Sequence, residues 1–88
     1  MNTLIIIYDV SIESDILINR IKSLGDNYVF WGNHWLVKTN YNAQEAYEKI
    51  VTNGYEGKSI FLARIDNRIS IGYWGIMNKT LWEWLKNE

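Results

Sequence analysis

The run Leu4-Ile5-Ile6-Ile7-Tyr8-Asp9 constrains this chain more than any other stretch. Four consecutive aliphatics ending in a tyrosine leave no polar face. The segment therefore reads as a strand, about Thr3 to Tyr8, at the centre of a sheet that is covered on both sides. A helical pattern follows, Ile12 to Leu24, with Ser11 or Ser14 as its N-cap and Gly25 as its stop. Ile12, Ile16, Leu17, Ile21 and Leu24 fall on one side of it. A carboxylate where a central strand leaves its sheet stands at the rim, where ligands and metals gather. Asp9 is therefore the leading chemical candidate.

Downstream, the β-forming runs Tyr28–Trp31 and His34–Val37 flank Gly32-Asn33, which predicts a tight hairpin. That register pairs Trp31 with His34 and Phe30 with Trp35. It puts Tyr28, Phe30, Trp35 and Val37 on one face and Val29, Trp31 and Leu36 on the other. One face packs under helices; the other needs a second cover, and a partner subunit is the simplest one. A second helix begins at Asn42, with Glu45 at the capping-box spacing. It buries Ala43, Ala46, Tyr47, Ile50 and Val51 and stops at Asn53-Gly54. Ser59 to Ile65 forms a strand, Asp66-Asn67 a turn and Ile69–Tyr73 a further strand. A short helix from Asn78 to about Asn87 then presents Leu81, Trp84 and Leu85, with Trp82 off that stripe. The order predicts an α+β, ferredoxin-like βαββαβ sandwich with an extra C-terminal strand and short helix, one domain over residues 1–88.

Composition narrows what such a domain can do. A chain of 88 residues buries only about 60–65% of its unfolded surface. Five tryptophans and six tyrosines exceed what so small a core hides, so the surplus predicts an interface or a ligand platform. Net charge is −1 and the nine basic residues form no run, which argues against strong sequence-independent binding to duplex DNA. The absence of cysteine excludes disulfides, thiolate metal sites and a thiol nucleophile. The amino-terminal apolar run is too short for a signal peptide or a membrane span, which predicts a soluble, cytoplasmic protein without a membrane partner.

Leu4–Val10 (LIIIYDV), Ile21–Asp26 (IKSLGD), Trp35–Lys38 (WLVK), Ser59–Ile65 and Trp82–Lys86 (WEWLK) occur in an order and spacing that span nearly the full chain. In these stretches the sequence resembles the SinR-like proteins, which are related to the CRISPR-associated adaptation protein that partners the integrase. The resemblance implies a ferredoxin-like fold and a homodimer whose sheets face each other. It also implies metal-dependent nuclease activity in some members and a purely structural role in others. Asp9 matches the position of that family's metal-associated aspartate. The sparse, scattered basic residues depart from the family's nucleic-acid-binding members.

Each candidate residue has a functional and a plainer reading. One Asp9 is a poor magnesium site, but a twofold axis would bring a second copy, and the pair could share one ion that positions water against a phosphodiester. Its plainer role is to cap a helix or end a strand. Ser11 would meet a phosphate at the start of the first helix, or simply cap it. His34, the sole histidine, would serve as a general base only if folding brought it near Asp9. Trp31, Trp35, Tyr73 and Trp74 would stack on bases or, by preference, join Tyr28 and Phe30 in a dimer interface. Arg64 would clamp a phosphate or pair with Asp66 or Glu56. The leading expectation is a small homodimeric binding module for a phosphate-bearing ligand, nucleic acid or nucleotide, with little or no catalysis. The alternatives are a magnesium-dependent endonuclease acting on RNA or DNA through paired Asp9, and a protein-interaction part such as a phage or mobile-element inhibitor in antiviral defence or counter-defence.

Overall fold

The computed structural model describes residues 1–65 and 79–86, the side chain of Phe30 excepted. The central strand falls where its apolar run requires. β1 (Asn2–Tyr8) lies between β3 (His34–Thr39) and β4 (Ile60–Ile65), and β2 (Asp26–Trp31) pairs with β3 on the outside. All three pairings are antiparallel, giving a four-stranded sheet in the order β2-β3-β1-β4. Three helices complete the α+β architecture among the described residues: α1 (Asp15–Lys22), α2 (Ala43–Val51) and α3 (Lys79–Lys86). No helix among these residues is long and apolar enough to cross a membrane. The turn expected at Asp66-Asn67 and the strand expected at Ile69–Tyr73 lie outside the described residues, as do Arg68, Tyr73 and Trp74.

One face of the sheet carries Leu4, Ile6, Tyr8, Trp35 and Val37, which are buried with Leu17, Ile21 and Leu24 and with Ala46, Ile50 and Val51 of α2. Complete burial of side chains such as Leu4, Ile6, Leu17 and Ile50 stabilises the fold by roughly 1.5–3 kcal/mol each. α2 forms as its sequence dictates: Asn42 accepts from the Glu45 N–H, and the Glu45 carboxylate accepts from the Asn42 N–H in return. α1 is shorter than its periodicity suggests. Ser14, not Ser11, is its N-cap, accepting from the Leu17 N–H, because a 3-10 turn at Val10–Ile12 comes first. Ile16 consequently stays exposed. Gly25 lies two residues past the Ser23 C-cap, and its constraint is steric: a β carbon there would sit 2.0 Å from the Lys38 carbonyl oxygen.

Two expectations about the second face are corrected. The hairpin is not regular: Trp31 does pair with His34, but Val29 pairs with Trp35, and Phe30 is the extra residue of a bulge between Val29 and Trp31. One inserted residue flips the alternation behind it. Tyr28 therefore pairs with Leu36 rather than sharing a face with Trp35 and Val37, and Val29 changes sides as well. Nor is the second face bare. Leu81 and Leu85 of α3 bury against Leu36, with Ile5, Tyr28, Ile65, Trp82 and Trp84 around them. Tyr28 Oη and Thr80 Oγ1 are hydrogen-bonded at 2.6 Å. Part of the aromatic surplus is thus spent inside the chain on a third layer.

Candidate functional site

Among the described residues, α3 packs over one end of its sheet face and does not reach the other. Ile7 of β1 pairs with Phe61 on one side and with His34 on the other, and His34 pairs with Trp31. Ile7 is two residues from Ile5, His34 two from Leu36 and Phe61 four from Ile65. Strand alternation therefore puts the whole row Trp31–His34–Ile7–Phe61 on the α3 face. The row crosses all four strands, about 14 Å at the usual interstrand spacing. Trp31 is 58% exposed and Phe61 60% exposed, both on the outer strands among the described residues. The His34 and Trp31 rings meet edge to face, 5.5 Å between centroids at 86°.

The chain around this row fixes its geometry. Asn33 Nδ2 donates to the Tyr8 carbonyl at 2.9 Å, which turns the Asn33 amide oxygen toward His34 Nδ1, also at 2.9 Å. Nδ1 therefore carries the proton in the neutral ring, and the lone pair is on Nε2. Beneath the turn, Tyr8 Oη stands 2.8 Å from Glu13 Oε1 and 3.0 Å from the Gly32 carbonyl, and the Trp35 indole N–H donates to that carbonyl at 3.2 Å. Burial pushes the Tyr8 phenol up to about 12; the Trp35 indole N–H, which also donates to the phenol oxygen at 3.4 Å, opposes this, and the bond to Glu13 and its charge add to it.

Asp9 leaves the sheet two residues beyond Ile7, at the same end. Its Oδ1 accepts from the Ser11 N–H at 3.0 Å and caps the 3-10 turn, while its own N–H donates to the Ser59 carbonyl at 3.1 Å. Hydrogen bonds from the Ser11 backbone and then the Ser11 side chain hold its carboxyl below the ordinary carboxylate value. Asp9, Ser59 and Phe61 line an open depression of about 450 Å³ with Ile7, Tyr8 and Ile60.

Of the residues singled out from sequence, Asp9, Ser11, Trp31 and His34 gather at this end. Three of the singled-out residues, Ser11 among them, do not serve as expected. Trp35 is only 3% exposed within the α1/α2-side core, which removes it both as a stacking surface and as an interface ring. Arg64 pairs with Leu4, five residues from Asp9, or about 17 Å along the strand, and alternation puts it on the other face with Ile60 and Leu62. Ser11 does not open α1; it serves Asp9. Lys38, another cation available to a phosphate, is buried at the far end of the sheet. Its ammonium donates to the Trp84 carbonyl at 2.6 Å and lies 4.4 Å from the Trp84 ring centroid.

Tyr28 stands against α3, and the Phe30 side chain, Tyr73 and Trp74 lie outside the described residues. Phe61 and Ile7 were missed as site residues; the signal for them was the register between two apolar strands, which neither strand states alone. Asp9 offers a magnesium ion one carboxylate, already shared with Ser11, and no group of three metal-ligating side chains occurs among the described residues. The described residues of a single chain do not by themselves supply the ligands that ion wants. No family model, curated protein or solved structure matches the chain.

Proposed function

We propose that the chain is a ferredoxin-like binding module for a phosphate-bearing ligand with a stackable base, nucleic acid or nucleotide, and that it is weakly catalytic or not catalytic at all. The strand order β2-β3-β1-β4 is compatible with that fold. The row Trp31–His34–Ile7–Phe61 carries the functional reading. Two exposed rings and an imidazole cross a sheet end that α3 does not reach, and base–ring stacking contributes about 1–3 kcal/mol per base. Titrating the protein with oligonucleotides and with mononucleotides tests it. At least one class should raise the melting temperature, and no shift with any of them rejects the reading.

Catalysis has weaker support. A magnesium-dependent nuclease would need Asp9 carboxylates from two chains facing each other. A homodimer across the α3-side face also has less ground than a bare sheet would give. Trp31 and Phe61 by themselves fall far short of the roughly 800 Å² per partner of a stable interface. A second copy seated on the row is the competing occupant, and sedimentation at micromolar concentration distinguishes it from a ligand.

A further inference from the structure

Resting on that reading, we infer that the row takes unpaired bases of a single-stranded nucleic acid and leaves the phosphates largely in solvent. The charge distribution leads there. Affinity for duplex DNA comes mainly from cations set against phosphates. Among the described residues, five of the cations are committed to the fold or placed elsewhere. The Lys38 ammonium is buried on the Trp84 carbonyl, and the Arg20 guanidinium donates to the Ile50 and Thr52 carbonyls across the α1–α2 seam. Lys49 lies over the Tyr41 ring, Lys79 reaches Glu83, and Arg64 is at the opposite end on the opposite face. At the row's own end Lys58 directly precedes Ser59, and the carboxylate of Asp9 lines the same depression. Among the described residues, a duplex would bring paired phosphates toward an acidic rim with one nearby lysine.

Unpaired bases suit the same surface. Every base offers a π face, and stacking needs a ring rather than a charge. Trp31 and Phe61 provide rings on the two outer strands of the described sheet, Ile7 is an apolar floor between them, and His34 is held in one tautomer by Asn33. The rings are pre-oriented: Trp31 by its edge-to-face contact with His34, and Phe61 by its place in β4 beside Ile7.

The test titrates dye-labelled single-stranded oligothymidylate and a duplex of mixed sequence against the full chain over a series of NaCl concentrations. Single strands should bind more tightly than the duplex, and log K should fall with log salt at a slope shallower than about −1, as for one phosphate contact. Trp31→Ala and Phe61→Ala should each weaken single-strand binding by about 5- to 150-fold. Both positions are exposed, and an unchanged circular dichroism spectrum will establish that the variants fold. Lys58→Ala should change binding less than either ring variant. Duplex binding as tight as single-strand binding, with a slope of about −3 or steeper, overturns this inference and leaves the binding module standing. Self-association that protects Trp31 from quenching also overturns it, since a second copy then occupies the row. Binding of no oligonucleotide and no nucleotide removes both.

Discussion

Replacing Tyr8 with phenylalanine should change how the fold responds to alkali. The Tyr8 phenol titrates near 12 in the folded chain against 10.0 for an unperturbed tyrosine, chiefly because it is buried under the hairpin. A group whose folded pKa is raised stabilises the fold fully below its unfolded pKa, and loses that contribution as pH rises through the folded one. The window here is about pH 10 to 12. Two units at about 1.36 kcal/mol each set a ceiling of roughly 2.7 kcal/mol, of which about 2.3 kcal/mol is gone by pH 12. Against this, the hydroxyl's bonds to Glu13 and Gly32 contribute about 1 kcal/mol at neutral pH. Tyr8→Phe should therefore be about 1 kcal/mol less stable than the wild type near neutrality and more stable than it near pH 12. The assay is urea unfolding followed by tryptophan fluorescence at a series of pH values. Other tyrosines and lysines ionise in both proteins, so the difference between the two curves isolates Tyr8. Parallel curves across the window would refute the claim that burial of this phenol couples it to folding.

Four further outcomes are expected. Gly25→Ala should lower the urea midpoint by the equivalent of about 1–3 kcal/mol, because the new methyl meets the Lys38 carbonyl, a backbone atom that cannot swing aside. Leu85→Ala should destabilise by about 2–5 kcal/mol and shift tryptophan emission to the red as α3 loosens from Leu36; unchanged emission would mean that α3 does not depend on this contact. Carbon-detected NMR titration should place the Asp9 carboxyl midpoint below 3.8. The stability this carboxylate contributes is then present at neutral pH and lost as pH falls through its folded value, and Asp9→Asn should lack that loss. The same variant and the wild type should show equal cleavage of labelled RNA and DNA with and without EDTA, and EDTA-sensitive activity in the wild type alone would restore the nuclease reading.

What the sequence disclosed divides by range. Elements governed by near neighbours were legible: the Leu4–Tyr8 run placed the central strand, and Asn42 with Glu45 placed the start of α2 by a reciprocal pair three residues apart. The start of α1 was not, since Ser11 and Ser14 are equivalent caps until Asp9 draws the Ser11 amide into a 3-10 turn and leaves the role to Ser14. Asp9 and Trp31 could be singled out because each is unusual where it stands. Phe61 could not, because an aromatic in a β-forming run is ordinary until its partner Ile7 is known. That Arg64 and Lys38 stand away from Asp9 was not legible for a related reason. Sequence shows that a charge exists, whereas the register shows which end of the sheet it occupies and which carbonyl has already engaged it.

The bulge at Phe30 connects these outcomes. Without it, Tyr28 would pair with Val37 and face the α1/α2 side, and α3 would lose a wall of its seat. With it, Tyr28 pairs with Leu36, holds Thr80 through its hydroxyl and lies 6.0 Å from the Trp84 ring. The bulge does not move Trp31, which pairs with His34 in either register because the two-residue turn fixes them as neighbours. One extra residue therefore divides the strand's aromatics between two tasks on a single face. Tyr28 goes to anchoring α3 over the end near Thr3 and Ile65, while Trp31 stays at the end where Ile7 and Phe61 complete the row. The seat of α3 thus follows from a local irregularity in β2, and among the described residues the row lies beyond the reach of α3.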